Sequence, residues 1–166
     1  MRLSPAVAAA CLSALILAGP ASAAFPDYPG EPRLEPAAES FAVPLVGPLE
    51  SGFGYRWGRL HSGVDIAVLG TSRVRAALSG RVTAVGYLQS YSGYGNTVKI
   101  RHADGLATLY AHLASASVRP GETVVRGELI GQAGCTGSCT GQHLHFEVRV
   151  EGQLVNPLTY LPKRLR

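Results

Sequence analysis

Two histidines one residue apart, His143 and His145, open a β-prone run that follows the Gly/Thr-rich stretch Gly134-Cys135-Thr136-Gly137-Ser138-Cys139-Thr140-Gly141-Gln142. Side chains alternate along a strand, so His143, His145 and Glu147 share one face while Leu144, Phe146 and Val148 point the other way, into a core. Such a pair suits metal ligation or acid–base work, or it is a coincidence of surface composition. A second cluster, His61-Ser62-Gly63-Val64-Asp65, offers an imidazole nitrogen and a carboxylate oxygen, with Gly63 permitting a tight turn between them. That mixed donor set suits Zn2+. In isolation the same spacing more often means a surface histidine beside a turn-capping aspartate. Taken with His143 and His145, it completes what a catalytic zinc needs: three protein ligands and an open position for water. In Leu109-Tyr110-Ala111-His112-Leu113, alternation sets Tyr110 and His112 opposite the apolar residues. His112 is then one histidine more than a three-ligand site requires, a candidate for acid–base work or for holding an oxyanion. His102 precedes Ala103-Asp104-Gly105 at a predicted hairpin turn and reads as structural, with orientation of a ligand as its alternative role.

The elements that must position these residues are short and β-prone. Segments 64–68, 74–78, 81–88, 97–102, 107–113, 122–125, 128–131 and 143–150 read as strands, with Gly95-Asn96, Asp104-Gly105 and Pro120-Gly121 as turn signals between some of them. No segment sustains a helical period. The fold class expected is all-β, a single domain of short antiparallel strands arranged as a sandwich or partly open barrel. This domain is expected over 51–162. Ahead of it, residues 24–50 carry Pro26, Pro29, Pro32, Pro36, Pro44 and Pro48, interleaved with Glu31, Glu35 and Glu39. Proline at this density reads as an extended linker or a wrapping arm, or as a propeptide laid across the site.

Residues 1–23 read as an export signal. Arg2 precedes an apolar run from Ala6 to Leu17, and Ala21-Ser22-Ala23 forms a small-x-small cleavage pattern. The run is too short for a permanent membrane span. Cys11 would leave with the signal. Losing Arg2 lowers the formal charge from +4 to +3, a balance that favours loose attraction to an anionic surface rather than a nucleic-acid interface. The basic end, 163–166, reads as a solvated tail.

His61-x-x-x-Asp65, Tyr110-x-His112-Leu113 and Gly141-Gln142-His143-Leu144-His145-Phe146 resemble, in order and spacing, the motifs of the lysostaphin-type (LytM-like) zinc metallopeptidases. Gly70-Thr71, Tyr94-Gly95-Asn96 and Asn156-Pro157 fit the same pattern, so the resemblance covers roughly 51–161. It implies an antiparallel β-sheet core with a groove, one zinc ion, and hydrolysis of peptide bonds in bacterial peptidoglycan, either cross-links or interpeptide bridges. It also implies that His61, Asp65 and His145 ligate the metal, while His112 and His143 stand beside it as the catalytic pair. Glu147 is then expected at the groove edge or in a salt bridge. Tyr110 is expected to pack rather than to offer its hydroxyl to the groove.

One departure from that family stands out. Cys135 and Cys139 occupy positions where Ser or Thr is common, and in an exported chain they are expected to form a disulfide that stiffens the loop into His143. Metal binding by the two thiols is the rival reading. A non-catalytic wall-binding module that activates an amidase is the alternative function, and a peptidase acting on elastin-like or glycine-rich proteins is a third. The expected protein is an exported monomer, periplasmic or extracellular, whose partner is peptidoglycan.

Overall fold

The computed structural model describes residues 40–163. The expected leader at 1–23, the arm as far as residue 39, and the tail at 164–166 lie outside the described residues.

Among the described residues twelve strands follow one another: β1 (Leu49–Ser51), β2 (Gly54–Arg56), β3 (Arg59–His61), β4 (Val64–Ala67), β5 (Arg73–Arg75), β6 (Gly80–Tyr87), β7 (Asn96–Arg101), β8 (Leu106–Ala116), β9 (Thr123–Val124), β10 (Leu129–Ala133), β11 (His143–Val150) and β12 (Gln153–Val155). A short 3-10 turn, Pro157–Thr159, closes the described chain, with Asn156 Oδ1 accepting from the Leu158 amide. The fold is all-β and antiparallel. No helix among the described residues is long and apolar enough to cross a membrane.

Ten strands form one connected sheet, in the order β1-β4-β11-β8-β7-β6-β9, with β12 on β11 and β10 bridging β5 and β8. The hairpin β2–β3 stands apart as a two-stranded sheet. One face of the main sheet supplies the core. Val64 and Ile66 of β4, Leu144, Phe146 and Val148 of β11, Tyr110 of β8, and Val98 and Ile100 of β7 are all fully buried. Burial of this much apolar surface is the main force holding the sheet. Residues 40–50, grouped with the proline-rich arm on composition, pack against the same core. Phe41 and Leu45 are buried, Phe41 meets Tyr160, and backbone bonds join Ala42 to Ala77, Pro44 to Arg75 and Pro48 to Ala67.

The structure differs from expectation in informative places. β1, the β2–β3 hairpin and β12 were not expected as strands. The hairpin turns on Trp57-Gly58, both at positive φ, where the usual Asn-Gly signal is missing. The turn into β12 uses Glu151-Gly152 in the same way. The expectation that Tyr110 and His112 share a face is corrected. Tyr110 lies opposite Phe146 and Leu113 opposite Asn96, so β8 advances three residues where β7, from Asn96 to Val98, advances two. The extra residue is a bulge, and His112 sits in it with φ 59°. That left-handed backbone breaks the alternation, leaving Tyr110 in the core and His112 on the side of His143 and His145. Tyr110 accordingly packs, its hydroxyl accepting from Ala77 N and Thr108 Oγ1.

A candidate metal centre and its histidine pair

The register of β4 against β11 does the first part of the assembly. Asp65 pairs directly with His145, and Val64 with Phe146, so the carboxylate and the imidazole face each other across one step of the sheet while their neighbours enter the core. Gly63 precedes this step at a bend of the chain, and it does more there than permit the turn that the spacing suggested. A Cβ there would lie 2.3 Å from the Phe146 carbonyl oxygen, so glycine is what lets the chain reach β11. His61 arrives from the end of β3. Its Nε2 lies 3.2 Å from Asp65 Oδ1 and 3.2 Å from His145 Nδ1, and His145 Nδ1 lies 2.8 Å from Asp65 Oδ1. The three donor atoms thus converge on one point.

What lies behind each ligand determines which atom it presents. His61 Nδ1 donates to the Gly52 carbonyl at 2.6 Å, which leaves Nε2 for the centre. His145 turns Nε2 toward Ser62 Oγ, at 3.3 Å, and Glu147 Oε1, at 3.5 Å, which leaves Nδ1 for the centre. Glu147 is fully buried beneath His145 and ion-pairs with Arg149 at 3.1 Å. The groove-edge position expected for it is therefore corrected, while its salt bridge is present. Tyr94 donates to Glu147 Oε1 at 2.5 Å and accepts from Ser62 Oγ at 2.6 Å. Burial opposes ionisation of Glu147, but hydrogen bonds from His145 and Tyr94 outweigh it and hold the carboxyl down to about 2. Burial and then the bond to Glu147 push the Tyr94 hydroxyl up to about 12, so it stays a donor.

Asp65 shows the same contest. Burial favours its neutral form, and the hydrogen bonds and proximity of His145 and His61 hold it well below the usual carboxylate range. Burial pushes the His145 pKa down, and its bonds to Asp65 and Glu147 more than offset that and raise it. Two ionised carboxylates around one imidazole favour positive charge at this point. With two imidazoles and a carboxylate as donors, the residues fit a divalent zinc ion.

His112 and His143 stand beside the triad with ring centroids 4.7 Å apart. Each spends Nδ1 on a loop carbonyl, His112 on Thr136 and His143 on Gly141, both at 2.8 Å. Burial lowers the His112 pKa, the bond to Thr136 opposes this, and His143 lowers it further, so His112 is neutral near pH 7 and its Nε2 carries a lone pair. His143 Nε2 lies 3.9 Å from Asp65 Oδ1.

The structure thus brings His61, Asp65, His112, His143 and His145 together. Cys135 and Cys139 form a disulfide in the loop before β11. His102 is far from this chemistry in its bonding. It is buried, with Nδ1 on the Ser79 carbonyl and Nε2 on Thr108 Oγ1. Sequence reasoning assigned no role to Ser62, Tyr94 or Arg56, whose guanidinium reaches Asp65 Oδ2 at 3.6 Å. Ser62 lies inside the His61–Asp65 motif and Tyr94 inside Tyr94-Gly95-Asn96, so two of the three were in view without a function attached.

An antiparallel β domain with a His-Asp-His donor cluster and two further histidines beside it has the donor set for a metal centre. More narrowly, the chain belongs to peptidase family M23, whose family model matches residues 59–157. It is 48% identical over 118 residues to the DD-carboxypeptidase/endopeptidase Mpg of Neisseria meningitidis serogroup B, covering 67% of this chain and 26% of that protein. It is 38% identical over 121 residues to the murein hydrolase activator NlpD of Escherichia coli, covering 73% of this chain and 31% of that protein. The chain therefore spans about a quarter to a third of the length of these relatives. Among solved structures, the antimicrobial peptidase lysostaphin from Staphylococcus simulans superposes with a TM-score of 0.61 at 31% identity, over 69% of this chain and 49% of that one.

Proposed function

We propose that this protein is a zinc-dependent endopeptidase that hydrolyses peptide bonds of bacterial peptidoglycan, cross-links or interpeptide bridges, after export to the periplasm or the cell exterior. The observation that carries the reading is the complete site: three convergent donors beside two histidines whose Nδ1 protons are already committed. Similarity to the Neisseria endopeptidase supports the substrate class. His61, Asp65 and His145 would hold the ion. When bound, zinc supplies a Lewis acid for the scissile carbonyl and lowers the pKa of a water. The remaining work falls to the chain. Neutral His112 presents an unprotonated Nε2 able to take a proton, and His143 presents its own Nε2 from the neighbouring position. Either can orient the attacking water or, once protonated, donate to the developing oxyanion.

A second reading has a specific observation behind it, the similarity to a murein hydrolase activator. It predicts peptidoglycan binding without cleavage. The intact donor set favours catalysis. The deciding experiment incubates the chain lacking residues 1–23 with peptidoglycan, with and without a zinc chelator, and weighs the fragments. New muropeptides that vanish on chelation support hydrolysis, and their masses name the bond. Binding without new fragments in zinc-loaded protein would favour the activator. A shortened chain used to relieve occlusion by the arm should keep residues 40–50, because Phe41 and Leu45 belong to the core.

A further inference from the structure

The loop between β10 and β11 holds both members of the histidine pair. The Thr136 carbonyl accepts from His112 and the Gly141 carbonyl from His143. The Cys135–Cys139 disulfide, with Cα atoms 5.3 Å apart, encloses Thr136 and ends two residues short of Gly141. Cys139 Sγ lies 2.8 Å from the Gly141 carbonyl oxygen and 3.9 Å from His143 Nδ1. Thr136 is itself tied down, its Oγ1 donating to the Leu113 carbonyl and accepting from the Asn96 amide, both at 2.9 Å. The segment is bridged at its base, His143 N donating to the Gly134 carbonyl at 3.1 Å, and Ser138 N donates to the Gly93 carbonyl, while none of the backbone bonds outside the regular strands is made by residues 139–141. Its side chains are small and polar, Gly137 sits at φ 75°, and Cys135, Gly137, Ser138, Thr140 and Gly141 are exposed. The side-chain bonds that orient the triad run elsewhere, from His61 to Gly52 and from His145 to Ser62 and Glu147.

We propose that the Cys135–Cys139 disulfide is a positioning device for the reaction: it fixes the two carbonyls that orient His112 and His143, so that turnover depends on the oxidised loop while metal binding does not. The proposal rests on the hydrolase reading above. A cross-link over so short a segment adds little to global stability, and its effect is local order. Thiols are weak hydrogen-bonding groups, so the reduced loop gains nothing that restores the geometry. Reduction by a water-soluble phosphine takes two electrons into the S–S bond and leaves two thiols, and the phosphine becomes its oxide with oxygen from water.

The test compares oxidised protein, phosphine-reduced protein and the Cys135→Ser/Cys139→Ser double variant, all zinc-loaded. The readouts are kcat and KM on a purified cross-linked muropeptide, zinc affinity by chelator competition, and imidazole nitrogen shifts by NMR. Reduction is expected to lower kcat roughly tenfold or more, since small misplacements of catalytic groups cost this much, while KM and zinc affinity stay within about twofold. NMR should show the Nδ1–H states of His112 and His143 disturbed on reduction, with Nδ1–H of His61 and Nε2–H of His145 preserved. The double serine variant should be indifferent to phosphine. Unchanged kcat and unchanged His112 and His143 signals in the reduced protein would overturn the proposal, as would zinc affinity that falls in step with kcat or a serine variant that responds equally. The NMR arm reads the loop directly. Failure of the oxidised protein to cut any muropeptide would instead count against the hydrolase reading.

Discussion

The two halves of the site are built by different means. His61, Asp65 and His145 are backed by regular structure. Asp65 and His145 face each other across a β4–β11 step, and His145 rests on a buried, ionised Glu147 held by Tyr94 and Arg149. His112 and His143 lean on carbonyls of an exposed loop, and His112 occupies a bulge at φ 59°. A sheet fixes donor atoms to within fractions of an ångström, which convergent ligation needs. A bulge and a loop place groups where alternation forbids them, at the cost of local order. The comparison teaches that binding and turnover should separate under mutation.

The largest effect should follow from breaking the triad. Asp65→Asn or His145→Ala is expected to weaken zinc affinity by more than about a hundredfold and to abolish cleavage. Full zinc affinity in either variant, measured by chelator competition, would sink the assignment. On the other side, His112→Ala should lower kcat by about 10²- to 10⁴-fold while zinc affinity holds. Parallel loss of both would erase the distinction between the halves. Glu147→Gln sharpens the comparison from behind His145. Removing the charge that backs His145 should weaken zinc affinity by about 10- to 100-fold, with the protein still folded by circular dichroism. An unchanged affinity would make Glu147 a structural ion pair only.

The smallest functional effect is expected at His102, which has both ring nitrogens engaged, on Ser79 and Thr108. His102→Ala should cost about 1–3 kcal/mol in urea unfolding, because it strands buried polar partners, and leave zinc affinity unaltered. A shift in affinity would mean that the Thr108–Tyr110 network reaches the site.

Much of the site was legible because its residues lie in short motifs. His61 and Asp65 are four apart, His143 and His145 two apart, and strand periodicity put the second pair on one face. The assignment that needed the resemblance was which of the second pair meets Asp65, and register supplies its physical reason: His145 is paired with Asp65 and His143 with Ala67. The role of Glu147 was illegible since a period of two gives the face and not the depth. Its face is polar at His143 and fully buried two positions beyond His145.

By itself the sequence determined the all-β class, through short apolar runs between turn residues, and the donor inventory, through residue type and spacing. Local chemistry settles both. Only the tertiary structure decided that Gly63 serves a close approach to Phe146, that a bulge turns His112 out of the core, and that Tyr94 from a distant loop donates to Glu147. Each depends on which strand lies beside which and in what register, a matter of packing the whole sheet at once that no single stretch of chain contains.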